Sequence, residues 1–105
     1  MKNQKILEKI RELKEKEQLT EALKWIDEAL AEDPDDLELY LEKGKILKHI
    51  QHFTEALNCF QKVLKIDPGH NETRNLKIMV QDILRYQQFD IYGSTNLSND
   101  PWLDD

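Results

Sequence analysis

The chain repeats itself at an interval of 34 residues. Laid over residues 37–70, residues 3–36 give twelve identities: Leu7/Leu41, Glu8/Glu42, Lys9/Lys43, Leu13/Leu47, Lys14/Lys48, Thr20/Thr54, Glu21/Glu55, Ala22/Ala56, Leu23/Leu57, Leu30/Leu64, Asp33/Asp67 and Pro34/Pro68. A period of this length means that one supersecondary unit is used twice and buries its apolar face by stacking on its neighbour. It limits the chain to repeat architectures before any single segment is assigned.

Within one period the apolar residues follow a helical rhythm. Ile6, Leu7, Ile10 and Leu13 share a helix face, and Leu19, Ala22, Leu23, Ile26, Ala29 and Leu30 form a second stripe. Glu17-Gln18 is a turn between them. Pro34 ends the second helix near Glu32, because proline cannot continue a helix and disfavours helical geometry at the residue before it. Asp35 or Asp36 then offers an N-cap oxygen to the next helix. The second unit repeats the scheme, with Leu39, Tyr40, Lys43, Gly44 and Leu47 on one helix and Phe53, Ala56, Leu57, Phe60, Val63 and Leu64 on the other. Ala22, Gly44 and Ala56 mark places where helix axes approach closely. Gly44 costs about 1 kcal/mol of helix propensity, so close packing is the reason for it. Three Gly and three Pro in 105 residues are too few for the turns of an all-β fold.

The period, the two-helix unit and the residues Tyr40, Gly44, Leu47, Ala56, Phe60 and Pro68 resemble the tetratricopeptide repeat. Ala22, Ala29 and Pro34 carry the likeness in the first unit, where Ile6 and Ile10 depart from the usual aromatic and small residues. The resemblance implies an all-α fold, a right-handed α-solenoid of antiparallel helix pairs, with repeat one at 3–36 and repeat two at 37–70. Residues 71–88 read as one capping helix, with Asn71 as N-cap and Leu76, Met79, Val80, Ile83 and Leu84 as its apolar stripe. Residues 3–88 thus form the domain, and 89–105 an irregular tail.

That tail holds Phe89, Ile91, Tyr92, Leu97, Trp102 and Leu103 beside Asp90, Asp100, Asp104 and Asp105, with no Lys or Arg. Aromatics beside acids suit a segment that docks, with Tyr92 and Trp102 as its expected anchors; the alternative reading is a frayed terminus.

In this family the first helix of each pair lines a concave face. The resemblance therefore places Leu7, Arg11, Lys14 and Glu15, then Leu41, Lys45, Lys48 and His49, then Asn75, Met79 and Asp82 on that face. The expected partner-binding residues are Leu7, Arg11, Lys14, Leu41, Lys45, Lys48, His49 and Met79. Together they make a locally basic wall with apolar anchors, suited to an acidic protein or peptide segment. The chain's own tail is one candidate occupant, in the same molecule or in a twofold pair. Some family members grip a chaperone's C-terminal carboxylate with Lys and Asn side chains; the matching places here hold Leu7, Arg11, Glu42, Glu72 and Leu76, so that clamp is absent.

The remaining composition narrows the function further. Fifteen Lys and Arg against 21 Asp and Glu give a net charge of −6, which disfavours a nucleic-acid partner. No apolar run approaches the ~20 residues of a membrane span, and no signal peptide is visible. Cys59 is alone, so no oxidising compartment is needed, and a soluble cytoplasmic protein is expected. His49 and His52 lack the further ligands of a structural zinc site. No phosphate loop or nucleophile motif occurs, so no enzyme activity, metal or cofactor is expected. The expectation is a non-enzymatic adaptor or scaffold, monomeric or weakly dimeric; the alternative is a structural protein that self-associates through its repeats and tail.

Overall fold

The computed structural model describes the backbone of residues 3–95 and the side chains of residues 3–87. Among these residues there are five helices and no strand: α1 (Gln4–Glu15), α2 (Leu19–Glu32), α3 (Leu37–His49), α4 (Phe53–Ile66) and α5 (Asn71–Thr95). Each helix packs on its neighbours in the chain, as in an α-solenoid. The molecule is accordingly elongated, 57 × 31 × 20 Å.

The turns within the two repeats have the same construction. Glu17 and Gln51, 34 residues apart, both take left-handed backbone angles, φ 59° and 69°. Gln18 N–H then donates to the Leu13 carbonyl (2.9 Å) and Glu17 N–H to that of Lys14 (3.0 Å); His52 and Gln51 do the same to Leu47 (2.8 Å) and Lys48 (3.1 Å). These are Schellman closures, which satisfy the last carbonyls of a helix and reverse the chain within two residues. Between repeats the aspartate-proline pair ends the helix, and Asp36 caps α3 by accepting from Leu39 N–H at 3.1 Å. At α5 the cap is His70 and not Asn71: the His70 Nδ1 accepts from Thr73 N–H at 3.3 Å and lies 2.7 Å from Thr73 Oγ1. Asn71 is already the first helical residue.

The interior forms two clusters joined along the stack. Leu7, Ile10, Leu13, Ala22, Ile26, Ala29, Leu39 and Ile46 make the first, with Trp25 packed at its edge. Leu41, Leu47, Ala56, Cys59, Phe60, Val63 and Val80 make the second, and Leu23 touches both. Gly44 is needed here: a Cβ built on it would lie 2.5 Å from Phe60 Cε1. The Phe60 ring thus occupies the space that glycine leaves.

One difference concerns the carboxyl-terminal helix. The sequence sets the end of the last helix at residue 88, but α5 continues to Thr95. Residues 81–92 contain no Pro or Gly, and extending an existing helix is far easier than starting one. Phe89, Ile91 and Tyr92 therefore belong to a helix and not to an irregular tail. The side chain of Tyr92 and the whole of Trp102, the expected anchors, lie outside the described residues.

The end face of α1 is polar, whereas that of α5 sets polar residues beside an exposed isoleucine. The face of α3 that holds Leu39, Glu42 and Ile46 is buried, whereas the same places on α1 hold Lys5, Glu8 and Glu12, all exposed. On α5 the places of Tyr40, Leu41, Gly44 and Leu47 hold Arg74, Asn75, Ile78 and Gln81, again exposed. A branched side chain at the Gly44 position keeps another helix from approaching as α4 approaches α3.

Candidate functional site

The carboxyl-terminal ends of α1 and α3, the start of α2 and the side of α5 enclose an open groove of about 420 Å³. Its walls are Lys14, Glu17, Leu19, Lys45, Ile46, Lys48, His49 and Leu76. The Schellman turns build it: by reversing the chain at Glu17 and Gln51 they leave Lys14, Lys48 and His49 on the final turns of parallel helices.

Four of the residues expected to meet a partner converge here: Lys14, Lys45, Lys48 and His49. Met79 lies on α5, about half exposed, outside the groove lining. Arg11 is exposed on α1 and also stands outside it. Leu7 and Leu41 are interior residues. They are 7% and 3% exposed and belong to the two apolar clusters. Their positions fall on the side of the first helix that meets its own partner helix, so packing claims them. The apolar part of the groove comes instead from half-buried Leu19 and Leu76, over the buried Ile46.

The expected basic wall is largely neutralised by acids that the sequence reading left out of it. Lys14 Nζ meets Glu42 Oε1 at 2.9 Å, and the Glu42 side chain is only 7% exposed. Lys45 Nζ meets Glu72 Oε2 at 2.8 Å. Its hydrogen bond holds the Glu72 carboxyl below the usual carboxylate value, against a smaller opposing effect of burial. His49 Nε2 lies 3.8 Å from Glu17 Oε1. These contacts tie α1 to α3 and α3 to α5.

Lys48 differs. It is the repeat counterpart of Lys14, but the counterpart of Glu42 is Leu76. Among the described residues no carboxylate lies within 4 Å of its ammonium. The groove therefore offers one uncommitted cation beside apolar surface. The repeat alignment held this signal: an identical lysine with a changed partner position.

Behind the groove, Lys43 Nζ pairs with Asp27 Oδ1 at 2.9 Å. Burial alone would lower the lysine's pKa, but the Asp27 hydrogen bond and charge outweigh it and the net direction is up. Burial likewise pushes the Cys59 thiol up, only partly offset by Lys43. A buried thiol held in its protonated form is a packing group and a poor nucleophile.

A profile of the family described as tetratricopeptide repeat matches residues 13–77, more than half of the chain. Nothing among curated proteins or solved structures matches it. Among the described residues no helix is long and apolar enough to cross a membrane. Tetratricopeptide repeats mediate contacts between proteins and are typically non-catalytic. The 34-residue period, the helix pairs, the Gly44–Phe60 contact and the profile match agree, and the chain belongs to the tetratricopeptide-repeat family.

Proposed function

We propose that this protein is a non-enzymatic adaptor that binds a protein or peptide segment on its concave side, in the groove between α1, α3 and α5. Lys48 carries the reading. Among the described residues it is the groove lysine without a carboxylate partner, and it stands beside Leu19 and Leu76. A ligand with one carboxylate and a neighbouring apolar side chain would meet a cation that gives up no existing ion pair. Lys14 and Lys45 act as braces of the groove, because each would have to break a contact to serve a ligand. Met79 extends the apolar wall along α5. The free, buried Cys59 fits a reducing compartment, and we place the protein's work in the cytoplasm.

The test is a selection of displayed peptides against the full chain, followed by ¹H–¹⁵N shift mapping of the selected sequences. Peptides with an acid beside an apolar residue are expected, with shifts at Lys48, His49 and Leu76. Lys48→Glu should weaken them about tenfold without changing the melting temperature, the size expected for a charge-assisted contact. Shifts confined to other surfaces, or affinity indifferent to Lys48, would overturn the reading.

A further inference from the structure

The outer side of α4 carries lysines of a different kind. Asn58, Gln61, Lys62 and Lys65 recur at helical spacing and share one face. With Leu64, and with Lys77 from α5, they line a shallow groove of about 480 Å³ along the α4–α5 seam. Among the described residues, no carboxylate lies within 4 Å of Lys62, Lys65 or Lys77. Lys14, Lys43 and Lys45, by contrast, each have one within 3 Å. Lys62 also stands over the Tyr40 ring, 5.9 Å from its centre, which steadies its stem.

The repeat sharpens the contrast. Thirty-four residues earlier, the places of Asn58, Gln61, Lys62 and Lys65 hold Lys24, Asp27, Glu28 and Ala31. At these four places the charge thus changes from net negative in the first repeat to net positive in the second, in a chain whose net charge is −6. Solubility requires no such segregation, since interspersed charges serve it as well.

We propose that the α4–α5 seam is a second docking surface, separate from the concave groove, and that it takes a carboxylate-rich segment of a partner protein. Carboxylates set among Lys62, Lys65 and Lys77 would relieve the repulsion of three neighbouring cations. The side-chain amides of Asn58 and Gln61 donate hydrogen bonds to the same oxygens, and half-buried Leu64 accepts an apolar side chain between them. A nucleic acid is the poorer fit: three lysines neutralise few phosphates, and the rest of the surface repels a polyanion. The two surfaces together would let one small chain join two partners.

The probe is a fluorescent hexaglutamate peptide titrated into the full chain at low salt, read by anisotropy and by ¹H–¹⁵N shifts. Saturable binding with shifts at residues 58–65 and 77 is expected, lost on raising the salt. The triple variant K62Q/K65Q/K77Q should bind about tenfold more weakly, as three partly exposed ion pairs would give, with its helical circular dichroism and melting curve retained. K24Q, a change at an exposed lysine outside both grooves, should bind as the wild type does, and shifts at residues 58–65 and 77 rather than at Lys48 and Leu76 keep this proposal independent of the concave-groove reading. Absence of binding, equal binding by the triple variant, or shifts confined to Lys48, His49 and Leu76 would each overturn it. So would self-association in sedimentation that the triple variant abolishes, since the occupant would then be a second copy.

Discussion

At the residue scale, the turns carry a cost that the packing tolerates. Glu17 and Gln51 hold left-handed angles that glycine adopts freely and that cost other residues about 1–2 kcal/mol. Gln51→Gly should therefore stabilise the chain by about 0.5–1 kcal/mol once glycine's extra unfolded-state freedom is deducted. Urea unfolding would show it as a higher midpoint with an unchanged slope. Gly44 is the opposite case: its backbone angle is ordinary, and what makes glycine necessary is the Phe60 ring at 2.5 Å from a would-be Cβ. The sequence exposed Gly44 as a misfit in a helix but was silent on the two turn residues, because Glu and Gln carry no mark of a positive φ.

Between elements, ion pairs join first helices that are not adjacent in sequence. Lys14–Glu42 couples α1 to α3, and Lys45–Glu72 couples α3 to α5. The second has a definite pH signature. Glu72 titrates below its usual value of 4.5 in the folded chain because of the Lys45 hydrogen bond. A depressed acid contributes stability that is fully present above the ordinary carboxylate value and disappears as the pH falls through the folded one. Lys45→Met should thus lower stability modestly at pH 7, by less than about 1 kcal/mol for so exposed a pair. The gap to wild type should close in acid, and denaturant melts at pH 7, 4 and 3 would follow it. A gap that stays constant across that range would show that the Glu72 interaction adds nothing.

For the whole molecule the decisive matter is how the array ends. Val80 is fully buried in the second cluster, and Leu76 and Leu84 pack against the same cluster. Ending the chain after residue 70 would remove Leu76, Val80 and Leu84 from the second cluster. Burying a side chain of this kind is worth about 1.5–3 kcal/mol, a large fraction of the stability of a domain this size. The shortened chain should lose its cooperative melt by circular dichroism, whereas a chain ending after residue 95 should keep it. The end faces differ from that interior, with exposed Lys5, Glu8 and Glu12 on α1 and with Arg74, Asn75, Ile78 and Gln81 exposed on α5. With α5 needed to complete the interior, the groove between α1, α3 and α5 and the α4–α5 seam are the surfaces we propose for partners.

The sequence by itself determined the repeat, the helix pairs, their boundaries at the aspartate-proline pairs and the close contact at Gly44. Each follows from local chemistry repeated at one spacing. Register along the chain also carried the family resemblance, which the profile match supports. Only the tertiary structure decided which lysines meet a carboxylate among the described residues. Lys14 and Lys48 are the same residue in the same repeat position, yet Lys14 meets Glu42 and Lys48 shares its groove with Leu76. Lys14 and Glu42 lie 28 residues apart in sequence, where a one-dimensional pattern holds no distances. For the same reason Leu7 and Leu41 looked like groove anchors and proved to be core. A helix face can be read from periodicity, but which of two neighbouring helices covers it depends on how the pairs stack.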